Sequence, residues 1–436
     1  MKGRMRWRSV LRDESGSMTI YAMLMFVTCA IIGGLALDFA RMHKTITEMQ
    51  NAADSAAHAA IISRPDLGEG EAKAMAVEIA LRNMPAALNG AVMTAADVVF
   101  GDWDPETATF HPRAGATDAV RVSVSRTVAL GNPFRMTLLR LAGMETADIQ
   151  REATMVAADQ DCLREGFVSQ TYVDMQSNNQ YLRGFCIHSN GGVKISSNNF
   201  FETGVVVTMP RPAGIDLPQS GFASNPGLEE ALAQNRFTIR ILNRLQEIIA
   251  GLTTPGSPYV PRYITNTTPV VLNRRNVGGT PLPEGRVYQV TCNGGQRLTV
   301  DNGAVLNNVV IVTNCEVTFG NGAVMQNAVI ATTNTGARSI NGPNGVQVGR
   351  NDNCGTGGGA QMITLGGMDF AAGLQVYGGQ LLAAGGIAFT ADAGGIEGAS
   401  FVAGGTITGS SNMTFEGCGG AGMEDNFAVP YAQMVF

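Results

Sequence analysis

The distribution of apolar positions divides this chain into regions with different periodicities. An uninterrupted apolar run of 20 residues, Met18–Leu37, follows a basic N-terminal segment and contains no charged residue. As a helix it would be about 30 Å long, which matches the hydrocarbon thickness of a bilayer. The pattern therefore predicts a transmembrane helix.

After residue 38 the apolar positions recur at alternating spacings of three and four residues, which is typical of a heptad seam. No Gly or Pro interrupts the stretch before Pro65, so the membrane helix is expected to continue to about residue 62. The seam could pack against the next domain of the same chain or against a helix of another copy. The seam residues are Phe39, Met42, Ile46, Met49, Ala53, Ala56 and Ala60.

Residues 63–158 show both helical and alternating patterns, and they predict a small α+β domain. One face of a predicted helix over 69–84 is apolar, and Val120, Val122 and Val124 alternate with polar residues as in a strand. The remaining predicted elements are a strand at 95–102, a helix at about 134–142 and a strand near 147–157.

A third pattern, with a period of 19 residues, fills the C-terminal part. LTVDNGAVLNNVVIVTN (298–314) aligns with VTFGNGAVMQNAVIATT (317–333), and Gly-Gly pairs recur at 366–367, 385–386 and 404–405. Short β-rich runs separated by residues that tolerate positive φ are typical of the coils of a β-solenoid. HSNGGVKISSNNFFETGVVV (188–207) has the same texture and is expected to be an early coil.

The pattern therefore predicts a right-handed parallel β-helix over residues 159–436. Two segments depart from it. Residues 218–252 contain apolar positions at helical spacing and predict an amphipathic helical insertion. The apolar tail 427–436 is expected to cover an open end of the solenoid. The overall fold class is α+β, with an N-terminal transmembrane helix, a small exported domain at 63–158 and the C-terminal solenoid.

The distribution of charge predicts how the chain is oriented across the membrane. The net charge of −6 excludes a typical nucleic-acid binder, yet residues 1–14 carry five basic residues. The positive-inside rule then places this tail in the cytoplasm and everything after residue 38 outside. We expect a single-pass protein of the bacterial inner membrane whose C-terminal region is periplasmic or extracellular. A cleaved signal peptide is the alternative, but no A-x-A-like site closes the run.

Cysteine usage agrees with an oxidising exterior. Cys29 falls within the membrane helix, and the other six cysteines all lie on the exported side. An even number without a Cys-x-x-Cys motif favours disulfides over a metal or redox site. Although fifteen pairings are possible, sequential pairing is the one we expect. The candidate disulfide cysteines are Cys162, Cys186, Cys292, Cys315, Cys354 and Cys418.

The region around the apolar run resembles TadG/TadE-like proteins of the Flp (Tad) pilus assembly system. The resemblance rests on Arg12-Asp13-x-x-Gly16, then Leu37-Asp38-x-x-Arg41, then Gln50-x-Ala52-Ala53-Asp54-x-Ala56-Ala57. It continues through Gly101-Asp102-Trp103-Asp104 and covers roughly residues 12–158. It implies a membrane-anchored role in pilus assembly, with pilus components as partners. Prepilin-like members have Glu five residues after the Gly, where this chain has Tyr21.

These observations favour a non-enzymatic envelope protein whose solenoid makes structural or adhesive contacts. Candidate partners are the lipid bilayer, Tad pilus components, further copies of the chain through its long helix, and glycan on the solenoid. No catalytic residue, cofactor or metal site is predicted. One alternative is a tethered carbohydrate-active hydrolase or lyase, for which the loop around Asp352 is the best candidate site. Another is an adhesin unrelated to pilus assembly.

Overall fold

The structure, a computed structural model of the chain, describes residues 17–65, 67–158 and 161–435. The chain forms two compact units. The small unit contains the chain up to Ala158 together with Pro430–Phe436, and the solenoid unit contains Asp159–Val429. The predicted cytoplasmic tail, residues 1–14, lies outside the described residues.

One continuous helix, Ser17–Ser63, begins the small unit and confirms the predicted long apolar helix. Its N-terminal half is exposed, including Ile20, Phe26 and Ile32, as expected for a lipid-facing surface. Within the described residues it is the one helix long and apolar enough to cross a membrane.

The C-terminal half of this long helix packs within its own unit. Met49, Ala53, Ala56 and Ala60 of the seam are fully buried, whereas Phe39 is exposed. They belong to one apolar cluster with the second helix, Glu69–Asn83, and with the sheet. From Met49 onward the seam therefore packs against other elements of the same chain. Its alanines let the backbones of these elements approach closely. Of the two partners the pattern allowed, this half of the seam uses its own domain.

The sheet of the small unit is antiparallel and has five strands. In spatial order the strands are Thr109–Pro112, Val98–Asp104, Ala119–Arg126, Ile149–Ala158 and Tyr431–Met434. The last strand corrects the expectation for the tail. Tyr431–Met434 pairs antiparallel with Met155–Ala158 as the edge strand of this sheet rather than covering a solenoid end.

The predicted helix at 134–142 is also wrong. Phe134–Arg135 is a short strand that pairs with Thr146–Ala147, and a single 3₁₀ turn, Leu139–Ala142, follows. Pro133 and the nearby Gly143, which has positive φ, leave too few residues for a stable α-helix. Two further short elements complete the unit, the helix Ala86–Asn89 and the 3₁₀ turn Ala95–Asp97.

The solenoid unit is a stack of parallel strand ladders, which confirms the predicted β-solenoid, while its right-handed sense stays a prediction. Its first stretch, which begins after a short helix Asp161–Arg164, contains the strands Gly166–Ser169, Tyr172–Met175, Gln180–Leu182, Cys186–Ser189, Gly192–Ile195, Phe200–Phe201, Val206–Met209 and Leu232–Gln234. Its second stretch contains the strands Asn266–Val271, Asn276–Val277, Arg286–Val290, Arg297–Val300, Val305–Thr313, Glu316–Phe319, Val324–Thr332, Ile340–Gly342, Gln347–Val348, Ala360–Thr364, Met368–Ala383, Ile387–Ala403, Ile407–Gly409 and Thr414–Glu416.

The coils of this stack do not follow chain order. The first coil, 166–182, pairs on one side with the second coil, 186–201. On its other side it pairs with the last coil, 400–416, so that Phe167 lies opposite Phe401 and Tyr181 opposite Phe415. The C-terminal part of the solenoid therefore closes back onto its beginning.

Residues 237–264 cover one outward face of the stack. Val310, Ile363 and Leu382 point out of the ladders on this face and share an apolar cluster with Ile248 and Tyr259. The region 212–252, which leads into this cover, contains no single amphipathic helix of the kind predicted near 218–252. Its elements are the 3₁₀ turns Pro212–Gly214, Gly221–Ser224 and Arg240–Arg244, the helices Leu228–Ala231 and Leu245–Gly251, and the strand Leu232–Gln234.

Candidate functional site in the solenoid

Interior hydrogen bonds and stacked rings join the first coil to the last coil on one side and to the second coil on the other. Asn179 Oδ1 accepts a hydrogen bond from the backbone N–H of Met413 at 2.9 Å, and Asn199 Oδ1 accepts one from Asn179 at 2.9 Å. The Tyr181 ring stacks on Phe201 at 4.6 Å and on Phe415 at 5.0 Å between ring centroids. Residues 234 positions apart in sequence are therefore held in direct contact.

A cluster of charged side chains lies on the outer surface of this joint. Glu397 and Glu416 are register partners in neighbouring parallel strands, so their side chains emerge side by side. Arg183 Nη1 lies 3.5 Å from Glu397 Oε1 and 3.1 Å from Glu416 Oε2. The first coil thus provides one guanidinium for two carboxylates of the last coils.

The Cys354–Cys418 disulfide lies against this carboxylate pair. Cys354 Sγ is 3.3 Å from Glu397 Oε1. Because both sulfurs are bound to each other, neither offers a thiolate to a metal in this state. The loop before Cys354 carries Arg350 and Asp352, whose side chains pair at 2.7 Å.

Burial raises the pKa of Glu397, and the charges of Glu416 and Asp352 raise it further, while Arg183 opposes the shift. A carboxyl group with a raised pKa beside a second carboxylate is the arrangement that acid–base catalysis uses. The shared guanidinium works against that role because it favours the ionised form of both groups. The loop around Asp352 therefore belongs to a larger cluster than the sequence predicted.

A second feature is a groove of about 530 Å³ along the Gly-Gly corners of adjacent coils. It is lined by Gly366, Gly367, Gly385, Gly386 and Thr406, and the amides of Gly366, Gly367 and Gly385 are hydrogen-bonded within the stack. Glycine is required at Gly366, because an added Cβ would lie 2.2 Å from the carbonyl oxygen of Gly336.

Polar groups at one side of the groove are already paired with each other. Arg338 Nε lies 2.9 Å from Asp369 Oδ2. The charged residues of the lining are this one Arg and this one Asp, so the groove carries little net charge. Such a surface suits a polar, uncharged ligand better than an ionic one.

The six cysteines outside the long helix are joined in sequential pairs. The disulfides are Cys162–Cys186, Cys292–Cys315 and Cys354–Cys418, and Cys29 in the long helix is free. Cys162–Cys186 links the short helix before the first coil to the start of the second coil. Cys354–Cys418 ties the loop between residues 349 and 359 to the end of the last coil. All three bridges therefore reinforce contacts between coils.

Sequence reasoning missed the carboxylate pair. Glu397 and Glu416 are 19 residues apart, which is the repeat period, so the signal was available. Arg183 carried no comparable signal, because its coil reaches the pair only through the closure of the stack. The repeated Asn-Asn at 178–179 and 198–199 marked the interior asparagine ladder and was also missed.

Asp38 is a second residue whose role only the structure reveals. Its buried carboxylate accepts backbone N–H bonds from Thr137, Leu138 and Leu139, each at 2.8 Å. These hydrogen bonds lower the pKa of Asp38. Leu37-Asp38-x-x-Arg41 therefore fixes the loop after residue 136 to the long helix.

Comparison with known proteins gives a separate result for each region. The family model of Flp pilus-assembly TadE/G-like proteins matches residues 16–76, which is the long helix and the start of the second helix. A solved structure, the crystal structure of an ice binding protein from an Antarctic Biological Consortium, has 12% identity and a TM-score of 0.25. That match covers 60% of this chain and 90% of the other. No curated protein matches the chain.

The solenoid unit is matched almost throughout by one family model, described as a domain of unknown function (DUF7867). The match extends over residues 166–419, from the first strand of the first coil to the end of the last coil. It spans more than half of the 436 residues. The chain therefore belongs to the DUF7867 family and has a Tad-like segment at its N-terminus.

Proposed function

We propose that this protein is a non-enzymatic envelope protein of the Tad (Flp) pilus assembly type. Met18–Leu37 anchors it in the bacterial inner membrane, with its N-terminus in the cytoplasm. The solenoid is presented in the periplasm or outside the cell for structural or adhesive contacts. The supporting observation is the TadE/G-like match over a helix that continues from the apolar run into a folded core.

A non-enzymatic role is supported by the state of the charged groups in the solenoid. The two carboxylates most suited to catalysis, Glu397 and Glu416, share Arg183. The open groove at the Gly-Gly corners is lined largely by small residues and one ion pair, with little net charge. Glycan or a pilus component is the class of partner that such a groove fits.

The design of a deletion follows from the position of the last strand. Because Tyr431–Met434 completes the sheet of the small unit, the deletion removes residues 161–428 and joins the ends with a flexible linker. We expect this variant to reach the membrane and to lose piliation or adherence. Normal piliation and adherence at wild-type expression would contradict the proposed role of the solenoid.

Two measurements address the topology. Mass spectrometry of the mature N-terminus should find the basic tail intact, whereas cleavage after Gly16 would indicate a processed pilin-like subunit. A phosphatase that folds only outside the cytoplasm should be active when fused after residue 436 and inactive when fused before Met1. The reverse pattern would contradict the proposed orientation.

A carbohydrate-active enzyme is the second candidate, and the Glu397–Glu416 pair is the observation that favours it. The full-length protein in detergent is incubated with cell-wall or plant polysaccharide, and released reducing ends are measured. Our proposal expects no release. Release that is lost in Glu397→Gln and kept in the matched exposed variant Glu230→Gln would establish the enzyme instead.

A further inference from the structure

A cleft of about 520 Å³ lies beside the long helix where the apolar run ends, within the small unit. Four of its lining side chains are cations and one is a carboxylate. The cations are Arg41, Lys44, Arg126 and Arg135, and the carboxylate is Glu48. Two of the cations have acidic partners on the same helix, since Arg41 lies 3.6 Å from Asp38 and Lys44 lies 3.6 Å from Glu48.

Two of the four cations have no acidic partner in the part of the chain that the structure describes. Arg135 forms no ion pair, and Arg126 donates only to neutral oxygens, those of Asn132, Pro133 and Asn89. Burial lowers the pKa of Arg126, with Glu48 as the one charge that opposes the shift. The Arg41 and Arg126 guanidiniums both lie within 6.0 Å of the centre of the Phe134 ring. An anion in the cleft would therefore meet charge that the protein leaves uncompensated.

The level of the cleft relative to the membrane is given by the loop that Asp38 holds. Gly34 lies against Leu138, since an added Cβ on Gly34 would be 2.8 Å from the Leu138 Cβ. Gly34 is inside the charge-free run and about 6 Å along the helix axis before Asp38. Leu138 and Met144 of this loop are exposed. With the bilayer boundary taken at Leu37, where the charge-free run ends, the loop lies at the depth of the outermost acyl-chain carbons with apolar side chains exposed.

The hydrogen bonds of Asp38 fit this depth. Backbone N–H groups that enter an apolar layer must be paired, because water cannot reach them there. The Asp38 carboxylate pairs three of them in the loop. Arg41 and Lys44 then follow at about 5 and 9 Å beyond Asp38 along the axis, which places them within and at the outer edge of a headgroup layer about 5–8 Å thick.

We propose that this cleft binds the phosphate of an anionic phospholipid headgroup, in the leaflet that surrounds residues 34–38. The inference rests on the membrane anchor of the proposed function but not on the orientation of the protein. A zwitterionic headgroup fits less well, because its ammonium would add a further cation to four. The small unit is thus seated on the bilayer by a lipid as well as tethered by its helix.

The test uses the full-length protein in a neutral detergent doped with phosphatidylglycerol or phosphatidylcholine, with retained lipid measured by native mass spectrometry. We expect phosphatidylglycerol to be retained in preference to phosphatidylcholine. The double variant Lys44→Gln/Arg135→Gln should lower this retention about tenfold, since two of four cations are removed. The matched control Lys73→Gln/Arg82→Gln removes the same charge from the second helix and should retain the lipid as wild type does.

Three outcomes would overturn the proposal. They are equal retention of the two lipids, retention in the cleft variant as in the control, and complete displacement of the lipid by millimolar inorganic phosphate. The last would identify a site for free phosphate. Hydrogen exchange of the small unit checks that the cleft variant is folded. Flotation with vesicles distinguishes the two proposals. Loss of flotation would contradict the membrane anchor, whereas flotation without lipid preference would contradict only the proposed lipid site in the cleft.

Discussion

The core of the small unit is lined largely by alanine, whereas the interior of the solenoid is filled by large side chains. In the small unit, Ala53, Ala56 and Ala60 of the long helix meet Ala72 and Ala76 of the second helix. In the solenoid, the largest fully buried side chains are mostly aromatic, and they include Phe167, Phe185, Tyr181, Phe401 and Phe415. One core depends on close backbone approach, and the other depends on filling a wide interior.

The two units also differ in what holds distant residues together. The small unit has no disulfide, and a 47-residue helix gives its core a rigid side. The solenoid has all three disulfides and many backbone positions with positive φ. Coils of Gly and Asn lose much conformational entropy on folding, so cross-links and long ladders offset a large cost. The disulfides therefore add stability to the solenoid beyond that of its repeated ladders.

Reduction of the disulfides should produce the largest difference in stability between the two units. Loop-closure entropy predicts about 3–4 kcal/mol for each bridge, so the solenoid should lose most of its stability. The small unit should be unchanged because it contains no bridge. Hydrogen exchange of the full-length protein in detergent, with and without reductant, measures both. Equal loss of protection in the small unit would show that the units are not independent.

Phe167→Ala should destabilise the solenoid by about 3–5 kcal/mol. The Phe167 ring lies 4.9–5.5 Å from the centroids of four other rings, three of which belong to residues 389–415. Its removal therefore opens the joint between the first and last coils. Protease cleavage near residue 405 should increase, and Phe200→Ala, at an exposed position, is the matched control. Unchanged cleavage would show that the Phe167 ring does not hold the joint between the first and last coils closed.

The solenoid should also lose stability in mild acid because of His188. Burial lowers the pKa of His188 to about 4. Since the unfolded chain binds this proton near pH 6.5, stability falls between pH 6.5 and 4 and levels off below, by about 3 kcal/mol in all. Comparing wild type with His188→Gln isolates the effect. A variant with the same pH slope as wild type would show that other groups cause it.

Ala56→Leu should have the smallest of these effects, about 1–3 kcal/mol, and only in the small unit. Ala56 is fully buried between the long helix and its neighbours, so three added carbons force the elements apart. Hydrogen exchange should increase in residues 49–83 and stay constant in the solenoid. Met75→Leu on the exposed face of the second helix is the control. A variant as stable as wild type would mean that the alanine core tolerates larger side chains.

The division of this chain into a long helix, a small mixed unit and a solenoid was largely predictable, because the sequence patterns that indicate it are local. The apolar run, the heptad spacing and the 19-residue period each depend on neighbours within a few turns or one coil. They predicted the long helix and the solenoid, and both are confirmed. The same local reasoning failed at 134–142, where apolar residues at helical spacing form a strand and a 3₁₀ turn. It also failed near 218–252, where Leu232 pairs in a ladder.

The candidate sites were less predictable because they join distant segments. Glu397 and Glu416 could be aligned by the repeat period, but Arg183 meets them only at the closure of the stack. The cationic cleft likewise combines Arg41 and Lys44 with Arg126 and Arg135. No periodicity connects these positions, and each cation alone resembles an ordinary surface residue.

The sequence by itself determined that this protein has a long apolar helix, a small mixed unit and a set of similar coils. Only the tertiary structure decided which coil stacks on which, and that Tyr431–Met434 returns to the sheet of the small unit. The physical reason is that every coil presents nearly the same ladder edge, so local pattern permits many stacking orders. The interior contacts of Asn179 and Tyr181 select one of them across more than 230 residues.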